Sequence, residues 1–320
     1  CTLRWLPNGE FWVFFLSGGP IEPDIDNHVA MCRSTDPGRV WSKEPETVLR
    51  FDDRACLLSE AYVEGARVVM LVTTHDGHFG RWENFVIESQ DNARTWSEPT
   101  PLSAMPRRAF VRNRYVATWD AWYLPYQNYD TVEEWTVAPH NDGTFQRPVN
   151  GVLVSADRGR TWEVSAGVSG AKGWAENNLV ELSDGTLTML IRSDGEGCLL
   201  RSDSMDQGRT WSDPVRTDIP NPGSKARLHR FGDGRILLVH NPNAQTHHPN
   251  TRRQAACQRN PLAVWISDDD MKSWSYKRVL TDFPGMLAYP DGILDEENRR
   301  LHIAFDYNRH DVIYWGVELP

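Results

Sequence analysis

The octapeptides Ser155-Ala156-Asp157-Arg158-Gly159-Arg160-Thr161-Trp162 and Ser204-Met205-Asp206-Gln207-Gly208-Arg209-Thr210-Trp211 decide the fold of this chain. They share the pattern S-x-D-x-G-x-T-W, and looser copies run from Ser34 to Trp41, Ser89 to Trp96 and Ser267 to Trp274. In the looser copies Ala93 and Met271 stand for the glycine, and Val40 and Ser273 for the threonine. Recurrence roughly every fifty to sixty residues marks a chain built from repeated units. Each copy reads as a hairpin tip. The Asp bonds backbone amides ahead of it, the Gly takes positive φ, and the Thr restarts a strand before an inward Trp. Such a motif staples a fold, and its own residues are not expected to do chemistry.

Outward from these boxes the sequence is β-prone and almost free of helical periodicity. Six strand pairs are predicted: Glu10–Leu16 with His28–Arg33, Arg67–Thr73 with Asn84–Glu88, Tyr115–Leu124 with Gly151–Val154, Thr186–Ile191 with Leu199–Ser202, Arg235–His240 with Leu262–Ile266, and Leu301–Asp306 with Asp311–Val317. Boxes follow five of the pairs and would join the outer two strands of each sheet. Six antiparallel sheets that cannot bury both faces alone predict an all-β fold, a six-bladed β-propeller of four-stranded blades. Residues 1–320 form its single domain. The sixth pair reaches the C-terminus without a box, as expected if N- and C-terminal strands share the closing blade. Loops after the first and second strands of each blade are expected to gather at one end of the ring, with the boxes at the opposite, outer end.

Composition narrows the partners. With 44 acidic against 34 basic residues the net charge is −10, which argues against nucleic acid or an anionic membrane surface. No apolar run is long enough to span a membrane, and no signal peptide is visible. The five cysteines, Cys1, Cys32, Cys56, Cys198 and Cys257, lack metal or disulfide-framework spacing and read as mostly buried thiols. His240, His247 and His248 lie in or beside the polar stretch from Asn241 to Gln254 without a carboxylate or Cys at zinc spacing, so no metal is expected. Arg107-Arg108 and Arg252-Arg253 read as rim residues. No phosphate-binding glycine loop or nucleophile elbow is present, and no cofactor is implied.

Chemistry is expected from residues between the boxes. Arg192, Arg259 and Arg309 sit at strand ends in successive blades, where their guanidinium forks would suit a carboxylate. Glu176, in Trp174-Ala175-Glu176-Asn177-Asn178, lies across one hairpin from Arg192. Tyr289, in Leu287-Ala288-Tyr289-Pro290, opens the last blade, and a Tyr beside a carboxylate can act as an activated nucleophile.

The boxes resemble the Asp-boxes of the sialidase (neuraminidase) superfamily, and Glu176 through Gly185 followed by Arg192 resembles its central blade. Arg259 and Tyr289 flank the box Trp274 much as a triad arginine and the nucleophilic tyrosine do in that family. The resemblance implies a sialidase-like exo-glycosidase acting on an acidic glycan, with Tyr289 as nucleophile and Glu176 as its base. Arg192 and Arg259 would clamp the substrate carboxylate. A tyrosine suits this chemistry because an anionic nucleophile would be repelled by the carboxylate on the anomeric carbon. The family's first arginine falls at or before Cys1, with Arg4 out of register and Arg309 as its substitute. Its acid/base carboxylate falls in Gly18-Gly19-Pro20-Ile21-Glu22-Pro23-Asp24-Ile25-Asp26, where Glu22 and Asp24 are the candidates beside Asp26. A glycan substrate favours a secreted or periplasmic setting.

Two alternatives accompany this reading. A uronate-glycan lyase, or an enzyme cleaving rhamnosyl-glucuronate, would use His75 or His78 as base and Tyr123, Tyr126 or Tyr129 as a second proton carrier. A glycan-binding propeller without catalysis would stack sugars on Trp82, Trp119, Trp122 and Trp174.

Overall fold

A computed structural model describes residues 1–20, 22–102, 104, 109–129, 147–245 and 259–320. His247, His248, Arg107, Arg108, Arg252, Arg253 and Cys257 lie outside them. The chain folds as a six-bladed β-propeller, each blade an antiparallel sheet formed from one consecutive stretch of sequence. The innermost strands, in chain order, are Thr2–Trp5, Ala55–Glu64, the broken pair Ala109–Val111 and Tyr115–Val116, Asn177–Glu181, Arg227–Arg230 and Leu287–Asp295. Blade 3 is broken again at its outer edge, into Glu163–Val164 and Val168–Ser169, and blade 6 has three strands among the described residues.

The boxes work as the hairpin reading predicts. In the third, Ser155 Oγ donates to Asp157 Oδ1 at 2.7 Å and accepts the Gly159 amide at 2.8 Å. Asp157 in turn accepts the Thr161 amide at 2.8 Å and its hydroxyl at 2.6 Å. The glycine position needs left-handed backbone throughout. Gly159 has φ 79°, and Ala93 and Met271 hold φ 58° and 62° at the same place.

Closure differs from the expectation of a shared blade. The N-terminal strand Thr2–Trp5 pairs within its own sheet, with Phe11–Ser17. Blades 1 and 6 meet instead by side-chain packing, with Leu3, Phe11 and Val13 against Ile293, Ala304, Val312 and Tyr314. The Leu3 amide also donates to Asp291 Oδ2 at 3.0 Å. Similar apolar layers join the other blades: Trp12, Phe14, Val29 and Met31 pack on Cys56, Leu58, Val68 and Met70 between blades 1 and 2.

The loop geometry also needs correction. Successive turns of an antiparallel sheet alternate between its ends, so the turns after first strands share the box end. Ser183, in such a turn, bonds the box residue Asp270 through its amide at 2.9 Å and its hydroxyl at 2.5 Å. The opposite end carries the loops after second strands together with the blade-to-blade connections. That is the end where Glu176, Arg192, Arg259, Tyr289 and Arg309 lie.

No disulfide joins the described cysteines. Cys56 and Cys198 are buried, Cys1 and Cys32 half-buried. Burial pushes the Cys56 thiol up to about 11, which leaves it inert.

Candidate active site

Tyr289 is aimed by a backbone irregularity. The inner strand of blade 6 slips register between Ala288 and Asp291, and Tyr289 holds φ 51° at the slip. A bulge of this kind turns a side chain out of the alternating pattern, and a non-glycine residue in left-handed backbone is held there by its surroundings. The half-buried ring is surrounded by three guanidiniums. Arg309 Cζ lies 5.3 Å from its centroid, Arg259 Cζ 5.6 Å and Arg112 Cζ 5.9 Å.

Arg112 follows the short strand Ala109–Val111 and has no counterpart among the expected residues. Its Nε has no hydrogen-bond partner among the described residues. Arg259 is steadied by a bond from one terminal nitrogen to the Gly223 carbonyl at 3.1 Å. Arg309 pairs with Asp306 at 3.0 Å and with Glu22. Burial raises the Asp306 carboxyl, which the sequence reading also missed.

Arg192 has a different environment from the other arginines. Its side chain is 1% exposed, donating to Glu176 Oε2 at 2.9 Å and to Asp194 Oδ1 at 3.0 and 3.1 Å. With its donors spent on two buried carboxylates, it braces Glu176 from behind and does not form part of an open clamp. Burial alone would raise the Glu176 carboxyl, but Arg192, with Arg112 and Arg259 beyond it, more than offsets this and holds it below the ordinary range.

The acidic loop divides its carboxylates. Glu22 reaches Arg309 and so stands at the site. Asp24 Oδ1 accepts the Asp26 amide at 2.9 Å, and Asp26 pairs with Arg50 at 2.9 Å, so both serve their own loop and its neighbour.

His75 is buried in an aromatic layer, its ring centroid 5.0 Å from that of Phe79, and burial pushes its pKa down to about 4. Its Nδ1 accepts the Gly77 amide at 3.0 Å, which assigns the proton to Nε2. With one nitrogen bonded and the other protonated, this imidazole has no free lone pair to act as a base. His78 is exposed. Tyr123 bonds the box carbonyl of Gln207 at 3.1 Å, and Tyr126 the Ser165 carbonyl at the outer edge of blade 3 at 3.3 Å. Tyr129 is fully buried, and burial pushes its hydroxyl well above the ordinary value.

Of the four tryptophans offered as sugar platforms, Trp174 is half-buried at the site end, 5.4 Å from Phe79 and 5.6 Å from Tyr129. Trp82 is buried in that same layer. Trp122 packs on Tyr62, and Trp119 lies in the turn after the first strand of blade 3, at the box end. Among the described residues no group of three His, Cys, Asp or Glu side chains is set to hold a metal.

Comparison with known proteins matches this geometry at the level of fold. A family profile described as BNR repeat-like domain matches residues 52–303. No curated protein matches the chain. Among solved structures it is similar to the Hadza microbial sialidase Hz136, at 15% identity and TM-score 0.78 over 99% of this chain and 65% of that one. It is also similar to the intramolecular trans-sialidase from Ruminococcus gnavus, at 15% identity and TM-score 0.69 over 99% and 93% of the two chains. The Trypanosoma rangeli sialidase follows at 14% identity and TM-score 0.68, over 98% and 53%. The chain thus spans less than two thirds of the first of these proteins and about half of the last.

Proposed function

Because this chain belongs to the BNR repeat-like domain family and has the propeller fold seen in sialidases, we propose that it is an exo-glycosidase that removes a terminal acidic sugar, an α-sialoside, through a tyrosyl intermediate. The observation that carries this reading is the trio Arg112, Arg259 and Arg309 around the ring of Tyr289. In a protein of net charge −10, three guanidiniums converging on one phenol make a receptor for an anion held beside that phenol.

In this scheme the trio holds the sugar carboxylate and sets the anomeric carbon over Tyr289. Glu176, kept ionised by Arg192, takes the phenolic proton as the Tyr289 oxygen bonds to that carbon. The glycosidic bond breaks, and the leaving oxygen takes a proton from a carboxyl of the site. Glu22 is suited to that role. With the site empty it rests on Arg309, and an arriving substrate carboxylate competes for the same guanidinium, releasing Glu22 to become protonated. Its carboxylate then deprotonates the water that attacks the anomeric carbon and breaks its bond to the Tyr289 oxygen, and Glu176 returns its proton to the departing phenolate. Trp174 offers an apolar wall for the ring of the sugar. The His75 tautomer leaves that imidazole no lone pair for abstracting the α-proton of a uronate, which speaks against His75 as the base of a lyase.

The test is release of free sialic acid from an aryl α-sialoside by the wild type and by Tyr289→Phe, with a uronate glycan run alongside and read for ultraviolet absorbance of an unsaturated product. Cleavage of the sialoside that Tyr289→Phe abolishes is expected. Undiminished hydrolysis by that variant, no hydrolysis by the wild type, or new absorbance from the uronate glycan would each overturn the assignment.

A further inference from the structure

Lys225, just ahead of the inner strand of blade 5, and Arg227 and His229 within it stand at alternate positions, while Ala226 and Leu228 pack into the core. Arg227 belongs to an axial ring of charges midway through the propeller. Arg4 from blade 1 pairs with Glu60 from blade 2 and, at 2.6 Å, with Asp291 from blade 6. Arg227 Nε stands 3.2 Å from Asp291 Oδ1. Arg114, from blade 3, stacks over Trp122 at 4.1 Å. Its guanidinium makes no hydrogen bond to a described residue.

The ring therefore holds three guanidiniums, Arg4, Arg114 and Arg227, against two carboxylates, Glu60 and Asp291. Both carboxylates face the ring's own arginines, with Asp291 Oδ1 lying against Arg227. Asp291 Oδ2 takes Arg4 and the Leu3 amide, while Glu60 takes Arg4 and the amides of Ala61 at 2.9 Å and Arg114 at 3.0 Å. An excess positive charge away from bulk water is costly unless something neutralises it. Burial, and Arg4 close by, push Arg114 down to about 10, a sign of the same imbalance.

On the box side of this ring lies a cavity of about 340 Å³, lined by Asn113, Arg114, Arg227, His229 and Arg230, with Glu296 at its edge. Two buried nitrogens among these residues, Asn113 Nδ2 and His229 Nε2, have no hydrogen-bond partner among the described residues, and Arg227 Nε meets Asp291 Oδ1 as an ion pair. Asn113 is only 4% exposed. The one carboxylate on the lining, exposed Glu296, is turned to the Gly232 amide at 3.0 Å. The unpartnered Asn113 amide donor and the surplus of guanidiniums around one cavity suit an anion with several acceptor oxygens.

We propose that the axial cavity at the box end is a binding site for a tetrahedral oxyanion, phosphate or sulfate, free or borne on a small ester, that neutralises the axial charge and ties blades 3 and 5 together. It is separate from the candidate active site, which opens at the other end of the same axis. Recognition comes from Arg114, Arg227 and Arg230, with Asn113 as a neutral donor.

The experiment is thermal unfolding of the full chain in inorganic phosphate at constant ionic strength, chloride making up the balance. A saturable rise in Tm of roughly 5 °C is expected at saturating phosphate, because the ligand binds only the folded chain. Sulfate should compete, and the double variant Arg114→Gln with Arg230→Gln should abolish the rise. Glycerol phosphate in a parallel arm separates a free counter-ion, where it gives no shift, from an esterified ligand, where its shift equals that of phosphate. Asn113→Asp places a carboxylate in the cavity, and should raise Tm without phosphate while removing the response to it. A rise that does not saturate, or an equal rise in wild type and both variants, would overturn the site.

Discussion

Replacing Arg192 by methionine tests how the candidate site is built. Methionine keeps much of the side-chain length and apolar stem but removes the guanidinium that lies between Glu176, 3% exposed, and Asp194, 0% exposed. Asp194 retains the Trp174 amide at 3.1 Å, whereas Glu176 keeps the more distant fields of Arg112 and Arg259 and its own backbone amide. Breaking a buried ion pair costs about 3–5 kcal/mol, and the Trp174 amide places this case near the lower figure. That is a large share of a typical domain stability of about 5–15 kcal/mol. The loss carries a pH signature. In the wild type the Glu176 carboxyl is depressed, so its contribution is present above the unfolded value near 4.3 and fades as pH falls through the folded one. In the variant burial loses its largest opponent and outweighs the weaker fields that remain, raising the carboxyl above the unfolded value, so stability falls as pH rises through it. Urea unfolding at pH 7 and pH 5 reads both effects. Arg192→Met should lose about 3 kcal/mol at pH 7 and recover part of it at pH 5, and adding Glu176→Gln should restore part of the loss at pH 7. A variant within about 1 kcal/mol of wild type, with a parallel pH profile, would refute the account of Arg192 as the brace of Glu176.

The other predictions concern separate parts of the molecule. Arg112→Met removes one of three charged donors from the proposed carboxylate receptor and should lower kcat/KM on an aryl α-sialoside by roughly 10–100-fold, mostly through KM, in steady-state assays. Burial lowers the Lys225 ammonium to about 7 although Asp291 opposes this. The unfolded chain then holds one more proton between that value and about 10.4, so stability should rise with pH across this window, and Lys225→Met should flatten the rise in unfolding measured from pH 7 to pH 10. In the first box Val40 supplies no hydroxyl to Asp36, whereas Thr95, Thr161, Thr210 and Ser273 bond their aspartates at 2.6 to 2.7 Å. Val40→Thr should complete that box and raise Tm by ~1–2 °C in a thermal scan.

The parts of this fold that the sequence discloses are those written in contiguous residues. A box is closed by bonds spanning four residues, as between Ser155 and Gly159, so eight letters specify it without knowledge of the rest of the chain. The Glu176–Arg192 pair was legible for a similar reason: one hairpin sets Asn177 opposite Ile191, and the Arg192 amide donates to the Glu176 carbonyl at 2.9 Å. Direction was not legible. Whether an arginine at a strand end faces the axis or turns inward depends on which carboxylates stand behind it, and Asp194 lies only two residues beyond Arg192 in a loop that shows no pattern. Arg112 escaped notice because its strand is three residues long and broken before Tyr115, too short for any alternation to show. Tyr289 was found by position, yet its aim comes from a bulge that no residue of Leu287-Ala288-Tyr289-Pro290 announces.

The charge distribution follows from the same separation of local and axial residues. Each box requires an ionised Asp near the outer surface. In the boxes of Asp91, Asp157, Asp206 and Asp269, a Thr or Ser hydroxyl first and then backbone amides hold the carboxyl well below the ordinary range, so these charges persist into acid. The repeat that closes the ring thus helps make the protein acidic outside. The axis has the opposite bias, with Arg112, Arg259 and Arg309 at one end and Arg114, Arg227 and Arg230 toward the other. A small anion entering the mouth meets these guanidiniums among low-dielectric walls, which strengthen the field. Association of an acidic sugar should therefore weaken less with added salt than steering by an exposed basic patch would, because the attracting charges are screened from the bulk by the blades around them.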